Sequence, residues 1–333
     1  MIEKGNIKNI LIIRTDRLGD VLLTLPLITA AKKVFTDPKI SFFVKEYVSG
    51  LIEGYMGIDQ LIIEENIKSF DDKYRFFKKH KPDLVITVKP RFDLALLFYL
   101  LHVKYRIGTG YRWYSFLYNY KVHEHRKVSD KHESEYNLNL LKHFFEEAGE
   151  SKEFYFKYSG DEKNNLYEKL QRYGISKEDR YIIIHPGSGS SAKDLPPEKF
   201  TEYTNKFFRT FKNYKIIFTG IEIERSLIKS IIDRIGKNNA DKIFDLSGQL
   251  NLRELMILID NSELFISNST GPVHIAGAMN KKIIGFYPNS KPMNDTRWKP
   301  LSEHSIIFKP ASEDDMSTIV IDDVILATSR LLS

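Results

Sequence analysis

The sequence contains no cysteine among its 333 residues, and it has little that would suit a membrane-spanning or secreted protein. Without cysteine, disulfide bonds, thiolate metal sites and a cysteine nucleophile are excluded. The longest uninterrupted apolar run, residues 94–101, is far shorter than the roughly 20 residues that cross a bilayer. The first residues lack the basic start and apolar core of a secretory signal. We therefore expect a cytoplasmic protein.

Positive charge is abundant and unevenly distributed. The chain has 50 Lys and Arg against 44 Asp and Glu, a net charge of +6. Residues 73–131 alone hold fourteen Lys or Arg, four Asp or Glu and thirteen aromatic residues, a net charge of +10. Such a segment suits an anionic partner, whether nucleic acid, a phosphorylated glycan or an acidic lipid leaflet. A solvated surface over ordinary core aromatics explains it equally well.

Short apolar, β-branched runs alternate with longer helical patterns along the whole chain. This alternation is typical of α/β folds with parallel sheets. Pro26 predicts a kink or a broken first turn in a helix over residues 20–35. Ten strands are predicted, at residues 9–14, 40–44, 60–63, 83–88, 105–107, 181–185, 215–219, 242–245, 264–267 and 282–287.

The predicted strands form two successive blocks, which indicates two doubly wound domains. We assign residues 1–160 to the first domain and residues 161–315 to the second, followed by a C-terminal helix within residues 316–333. The polar residues 157–165 are a plausible linker. In open α/β sheets, ligands bind at the carboxyl ends of the strands. The loops that follow the strands are therefore the candidate sites.

The first such loop, RTDRLGD, runs directly from a strand into a helix and ends at Asp20. An aspartate at this turn can simply cap the helix. It can also act as a base that accepts a proton from an attacking hydroxyl. Arg14, Asp16 and Arg17 could tune that carboxylate or hold an anionic acceptor.

The loop HPGSGSSAKD follows the first strand of the second half and is a candidate phosphate site. Gly187, Ser188 and Ser190 let backbone and hydroxyl donors approach an anion, and Lys193 adds a positive charge. The spacing does not match a Walker loop. A flexible Gly/Ser turn is the alternative, and the lysine favours phosphate.

A second candidate phosphate loop, NSTGPVH, opens a helix whose free N–H groups favour an anion. Two such loops at strand ends in one domain predict a bound diphosphate. His274 could face that phosphate or pack in the core. The candidate residues of this loop are Ser269, Thr270, Gly271, Pro272 and His274.

Glu222 follows a third strand, where a carboxylate can accept both hydroxyls of a ribose. Acidic residues are also common in the first turn of a helix, because they interact favourably with its dipole. Glu222 therefore fits either a nucleoside contact or a helix start.

Four stretches, in chain order, carry a resemblance to a known family: IIRTDRLGDVLLTLPLITAAKK, HPGSGSSAKDLPPEKF, DLSGQLNLRELMILI and LFISNSTGPVHIAGAM. They resemble glycosyltransferase family nine, the ADP-heptose:lipopolysaccharide heptosyltransferases, and HESEYNLNLL at residues 132–141 is also similar. The resemblance implies a GT-B architecture, with two Rossmann-like domains facing each other across a cleft. The first domain would take the acceptor and the second the nucleotide sugar, and the C-terminal helix would pack back on the first domain.

The resemblance also implies inverting transfer without a metal ion or other cofactor. Asp20 matches the family's proposed catalytic base, and Lys193 its diphosphate-binding lysine. The other matches are donor-binding positions: Ser188, Ser190, Glu222, Thr270, Gly271 and Pro272. One departure is that many members have Asp-Thr-Gly or Asp-Ser-Gly where this chain has Ser269-Thr270-Gly271. Because that carboxylate is absent, the donor sugar does not follow from the resemblance.

The sequence thus predicts a glycosyltransferase that moves a sugar, heptose or similar, from a nucleotide diphosphate to a lipopolysaccharide core or related acceptor. We expect ADP as the nucleotide, and a monomer without a nucleic-acid partner, cytoplasmic or peripheral on the inner face of the cytoplasmic membrane. Two alternatives are a nucleotide-sugar epimerase of the same architecture and a non-catalytic polyanion-binding protein. The acceptor-side candidates are Arg14, Arg17, Arg106, Arg112 and Lys121.

Overall fold

The computed structural model describes residues 2–149, 154–189, 193–312 and 314–333. The chain divides into two compact units, Met1–Lys157 and Tyr158–Ser333. Each unit contains a six-stranded parallel sheet with helices, so the predicted α/β class is confirmed. Within the described residues, no helix combines the length and apolar character needed to cross a membrane.

The first unit has the strands β1 (Asn9–Ile13), β2 (Lys39–Val44), β3 (Gln60–Ile63), β4 (Leu84–Thr87), β5 (Tyr105–Thr109) and β6 (Tyr120–Val122). Its helices are α1 (Leu18–Leu22), α2 (Leu25–Val34), α3 (Ser49–Ile52), α4 (Phe70–His80), α5 (Phe92–Leu100) and α6 (Glu133–Lys142). The strand order is β3-β2-β1-β4-β5-β6. The order reverses between β1 and β4, which is where doubly wound sheets bind ligands.

The second unit has the strands β7 (Tyr181–His185), β8 (Lys215–Phe218), β9 (Ile243–Asp245), β10 (Leu264–Asn268), β11 (Ile283–Phe286) and β12 (Ser305–Phe308). Its helices are α7 (Gly160–Arg172), α8 (Pro197–Thr210), α9 (Arg225–Ile232), α10 (Leu252–Asn261), α11 (Gly271–Ala278), α12 (Asp295–Trp298) and α13 (Ile321–Leu332). The order β12-β11-β10-β7-β8-β9 repeats the first topology, with the reversal between β7 and β10.

All ten predicted strands are present, and the structure adds β6 and β12. Both additions lie at a sheet edge, where each has one neighbouring strand. The central strands β4, β7, β10 and β11 are buried at every position, as expected for a parallel sheet covered on both faces. Neither added strand is buried throughout, and β6 has only three residues.

Pro26 breaks the first predicted helix in two, as the sequence indicated. Helix α1 ends at Leu22 and α2 begins at Leu25, so the proline falls in the first turn of α2. Its missing N–H has no helical partner to lose at that position. The break leaves α1 as a short helix that carries Asp20.

The linker predicted at residues 157–165 is wrong beyond residue 159, because α7 begins at Gly160. The hydroxyl of Ser159 accepts the N–H of Glu162 at 3.1 Å, and the Glu162 carboxylate accepts the N–H of Ser159 at 2.7 Å. This reciprocal pair is a capping box. The polar residues interpreted as a linker are therefore a helix start.

The C-terminal helix α13 buries Ile321, Val324 and Ala327 in the core of the second unit. The hydroxyls of Thr328 and Tyr203 lie 2.9 Å apart and tie α13 to α8. The apolar face of α13 is thus buried within the second unit. That the helix also packs back on the first domain stays a prediction.

Candidate active site

Asp20 lies in the first turn of α1, the helix that follows β1. Arg17 occupies the cap position of that helix, so the interpretation of Asp20 as the cap is wrong. The Asp20 carboxylate instead accepts a hydrogen bond from the guanidinium of Arg14. Its side chain is 16% exposed, which leaves the carboxylate accessible to a substrate.

Arg14 is the centre of a buried cluster of charges. Its guanidinium donates to Asp16 at 2.6 Å, to Glu133 at 3.2 Å, and to Asp20. Burial disfavours the cation, but the three carboxylates outweigh it and hold the pKa of Arg14 above its ordinary value. Arg14 is only 3% exposed. Of the two roles that the sequence allowed for Arg14, its contacts fit the tuning of Asp20, and contact with the acceptor stays a prediction.

Helix α6 supplies the other side of this cluster. Glu133 and Asn137, four residues apart on one helix face, both accept from Arg14 at 3.2 Å. Arg126 donates to the same oxygen of Glu133 at 2.6 Å and to Asn137 at 2.8 Å. The Asn137 amide donates to the carbonyl of Leu23 at 3.0 Å, beyond the end of α1. The sequence analysis did not single out Glu133, Asn137 or Arg126, although the i, i+4 pair in HESEYN was an available signal.

The environment of Asp20 raises the pKa of its carboxyl group to about 6. Burial is the main cause, and the charges of Asp16 and Glu133 add to it, while the hydrogen-bonded Arg14 opposes it. A carboxylate with this pKa is mostly ionised at neutral pH. It is also more basic than an ordinary aspartate, which suits it to accept a proton from a hydroxyl.

A cavity of about 330 Å³ opens beside this cluster, near the carboxyl ends of β4, β5 and β6. Three of its lining residues, Arg112, Arg126 and Lys127, carry a positive charge and one, Glu124, a negative charge. Arg126 also contacts Glu133. The rings of Tyr111 and His125 stack at 3.6 Å between centroids on its wall. The volume lies at the lower end of the range for small-ligand sites. The cavity can therefore take an anionic group or a sugar.

The other predicted acceptor residues separate into two groups. Arg112 lines this cavity, and Arg17 and Lys121 are exposed. The guanidinium of Arg106 donates to the backbone carbonyls of Leu117, at 2.9 Å, and Val103. The side chain of Arg106 therefore anchors the segment that leads into β6, and its acceptor role stays a prediction.

In the second unit, Glu224 holds the first phosphate loop in place. Its carboxylate accepts the N–H of Gly189 at 3.2 Å and the N–H of Ile221 at 2.9 Å. A Cβ atom on Gly187 would lie 2.1 Å from the same carboxylate, so a side chain there would displace Glu224. Glu224 was not predicted as a site residue. It lies only two positions after Glu222, in the same short helix.

Asn268 joins the two predicted phosphate loops. Its side-chain oxygen accepts the N–H of Leu195 at 2.9 Å, and its amide donates to the carbonyl of Pro186 at 2.6 Å. Sequence reasoning placed Asn268 in the second loop but gave it no role. These contacts bring the segments after β7 and β10 together at the strand reversal, as the prediction of one shared anion site requires.

The second loop begins α11 as predicted. Thr270 is its cap residue, Gly271 its first residue, and Pro272 lies in the first turn. At the other end of the helix, a Cβ atom on Gly277 would lie 2.7 Å from the backbone nitrogen of Leu301. Helix α11 is thus seated directly against a neighbouring backbone. Its free N–H groups, with Ser269 just before them, remain a candidate anion site.

Lys193 lies at the end of the first phosphate loop and is half-exposed. Its ammonium pairs with Asp314 at 3.2 Å. Asp314 also accepts the N–H groups of Asn289 and Ser290 at 2.8 and 3.0 Å. Lys193 is therefore held by a carboxylate that a phosphate could replace. Ser188 is buried, whereas Ser190 lies outside the residues that the structure describes.

The structure also locates Glu222 and His274. Glu222 follows β8 with 69% of its side chain exposed, and it pairs with Arg225 at 2.9 Å. His274 is buried, and its ring centroid lies 6.2 Å from that of Trp298. Among the described residues, no group of three or more His, Asp or Glu side chains has an arrangement that could hold a metal ion.

The model of glycosyltransferase family 9 (heptosyltransferase) matches residues 75–324, which is three quarters of the chain. The chain belongs to glycosyltransferase family 9. It is therefore a glycosyltransferase, and membership favours this reading over the epimerase and over a non-catalytic polyanion-binding protein. The match covers both phosphate loops but begins after Asp20.

Known members resemble the chain over nearly its whole length. It is 25% identical to lipopolysaccharide heptosyltransferase 3 of Escherichia coli K12, over 94% of this chain and 95% of that one. A family 9 structure from Veillonella parvula matches with a TM-score of 0.84 at 21% identity, over 99% and 98% of the two chains. The ADP-heptose lipopolysaccharide heptosyltransferase II of E. coli matches with a TM-score of 0.81 at 18% identity, over 97% and 98%. The likeness to solved structures confirms the GT-B fold.

Proposed function

We propose that this enzyme transfers a sugar from a nucleoside diphosphate to a hydroxyl of a lipopolysaccharide-type acceptor, with inversion at the anomeric carbon. Asp20 takes the proton of the acceptor hydroxyl, and the oxygen attacks the anomeric carbon from the face opposite the diphosphate. The bond between the anomeric carbon and the diphosphate oxygen breaks, and the nucleoside diphosphate leaves with the bonding electrons. No metal ion takes part.

The observation that carries this proposal is the Asp20 carboxylate, partly exposed and with a pKa of about 6. It lies in one hydrogen-bonded cluster with Arg14, Glu133 and Arg126. Arg126 in turn lines the positively charged cavity. An acceptor with phosphate or carboxylate groups suits that cavity, and its hydroxyl would then be close to the base.

On the donor side, the two loops joined by Asn268 suit the diphosphate. Backbone N–H groups and Lys193 would stabilise the charge that develops on the leaving group. We take the nucleotide to be ADP because the name of one matching E. coli enzyme specifies ADP-heptose as its donor. Glu222, which follows β8 and is largely exposed, is the candidate ligand of the ribose hydroxyls.

The function is tested with lipooligosaccharide acceptors and a panel of ADP-, UDP-, GDP- and CDP-sugars. We expect transfer from an ADP-sugar, and we expect this activity to persist in the presence of EDTA. The anomeric configuration of the product, determined by NMR, should be opposite to that of the donor. Release of nucleotide without a glycosylated product would contradict the transferase proposal. A product with the donor's configuration would contradict inversion.

Replacing Lys193 by alanine should weaken ADP binding roughly 10- to 100-fold and leave adenosine binding unchanged. The reason is that a hydrogen bond to a charged group contributes about 1.5–3 kcal/mol, and Lys193 is expected to contact only phosphate. Isothermal titration with both ligands measures the difference. Lys229→Ala is the matched control, since Lys229 also forms an exposed ion pair, with Asp233 at 2.7 Å. Equal losses for ADP and adenosine would show that Lys193 supports the fold instead.

A further inference from the structure

Helix α5 of the first unit exposes apolar side chains where a surface helix normally has polar ones. Leu94, Leu97 and Phe98 face the core. On other sides of the helix, Phe92, Tyr99 and Leu100 are exposed. A helix that is apolar all round is usually buried on every side or lies in a membrane. Within the part of the chain that the structure describes, the outward side of α5 is therefore only partly covered.

The segment after β5 extends this apolar surface. Trp113 and Phe116 are 74% and 64% exposed, the largest values among the aromatic residues of the first unit. The ring centroid of Trp113 lies 4.9 Å from that of Phe92, so the segment packs against the start of α5. We name this apolar surface the outer aromatic surface, composed of Phe92, Tyr99, Leu100, Trp113 and Phe116.

The charge around the outer aromatic surface is positive. Residues 92–122 contain four Lys or Arg and a single acidic residue, Asp93, which is paired with Arg91 at 2.6 Å. Arg112 and Lys121 are exposed, and the guanidinium carbon of Arg106 lies 5.5 Å above the ring of Tyr99. Trp and Tyr beside Lys and Arg are the residues that anchor proteins at the interface of an anionic bilayer.

We propose that the outer aromatic surface docks on an anionic lipid bilayer, with Trp113 and Phe116 inserted at the level of the headgroups. Apolar contact and electrostatic attraction together supply the affinity, as they do for interfacial helices. A second copy of the chain fits this surface less well, because a self-complementary contact would bring the same cations together.

The outer aromatic surface lies next to the cavity assigned to the acceptor, so docking on a bilayer would serve substrate access. Arg112 lines the cavity assigned to the acceptor, and the next residue, Trp113, belongs to the outer aromatic surface. A bilayer held at Trp113 would therefore present the sugar of a membrane-anchored acceptor close to the cavity. This use depends on the proposed function, whereas docking itself does not.

The test is co-sedimentation with vesicles made of equal parts phosphatidylcholine and phosphatidylglycerol, and with phosphatidylcholine vesicles alone. We expect binding to the anionic vesicles, weakened by salt, and a loss of roughly tenfold or more in the double variant Trp113→Ser/Phe116→Ser. The matched control is Val320→Ser/Leu326→Ser, which removes two apolar side chains, 54% and 52% exposed, from the second unit. In the Trp298→Phe background, Trp113 is the one remaining tryptophan. Its emission should shift to the blue when anionic vesicles are added.

The proposal would be overturned by no binding of the wild type, by unchanged binding of the double variant, or by an equal loss of binding in the control variant. The proposal would also be overturned if light scattering showed a dimer for the wild type and a monomer for the double variant. A second copy of the chain would then cover the surface. Transfer to a delipidated oligosaccharide in solution separates this proposal from the enzymatic one. The double variant should retain this transfer activity in solution. If the wild type lacked the activity, the proposed function would be contradicted and the docking proposal would not.

Discussion

Asp20→Asn should lower turnover roughly 10²- to 10⁴-fold and leave the fold and the binding of ADP intact. This is the usual loss when a general base is removed. Asparagine has nearly the same shape, and its oxygen can still accept from Arg14, so the cluster of charges should persist. Turnover is measured with saturating donor and acceptor, and the melting temperature and the Kd for ADP serve as controls. Turnover near the wild-type level would show that another group takes the proton.

The pH dependence gives a second readout for the same variant. Because the folded pKa of Asp20 is about 6, protonation should reduce kcat/KM of the wild type below that pH. The residual activity of Asp20→Asn should lack this acid limb. Protonation of Asp20 also affects the free energy of unfolding. Because the pKa of Asp20 is higher in the folded state than in the unfolded state, protonation at low pH favours the folded state. The wild type should therefore lose stability relative to the variant as the pH rises from about 4 to 6.

Arg14→Leu should destabilise the protein by about 3–5 kcal/mol at neutral pH, the usual cost of breaking a buried ion pair by removing one partner. The substitution leaves the carboxylates of Asp16, Asp20 and Glu133 close together without the guanidinium that separates them. Chemical denaturation at pH 7 measures the free energy of unfolding. Arg17→Leu is the matched control three residues away: Arg17 is exposed, so its loss should cost less than about 0.5 kcal/mol.

The Arg14→Leu defect should become smaller as the pH falls from 7 to 5. Without the arginine, burial and mutual repulsion raise the pKa values of the remaining carboxyl groups, which then take up protons in the folded state. Stability that depends on those protons is present at low pH and is lost as the pH rises. A defect below about 1 kcal/mol at pH 7, or one that grows on acidification, would contradict the account of Arg14 as the centre of the cluster.

The sequence predicted the architecture well because the fold depends on patterns that are local in the chain. The strands at residues 181–185 and 60–63 coincide with β7 and β3. The apolar, β-branched runs between helical patterns are sufficient to locate such strands. Strand β6 is less visible, because its sequence YKV is short and has one fully buried position. The start of α7 was missed because Ser and Glu in a polar stretch fit both a linker and a capping box.

The site was predicted less completely because its contacts join residues far apart in the chain. Arg14 and Glu133 are separated by 119 positions, and Asn268 and Pro186 by 82. A single sequence shows a basic residue after a strand, but not which carboxylates will surround it. Arg14 was therefore assigned to the acceptor, although it is buried. Glu224 and Asn268 were given no role because each contacts a loop that lies far away in the chain, 35 positions for Glu224 and Gly189. Arg126 was given none because its contacts with Glu133 and Asn137 form only when the chain turns back into α6.

Gly277 shows how far from the chemistry a damaging substitution can lie. It is six residues after the first residue of α11, about 9 Å along the helix axis, and it never has to meet a substrate. Yet a single methyl group there would press on the backbone at Leu301 and tilt or shift the whole helix. The N–H groups at the opposite end would move with it. In a survey of random variants, alanine at this position should therefore lower activity as much as the loss of a ligand contact does, although Gly277 itself does not have to contact the substrate.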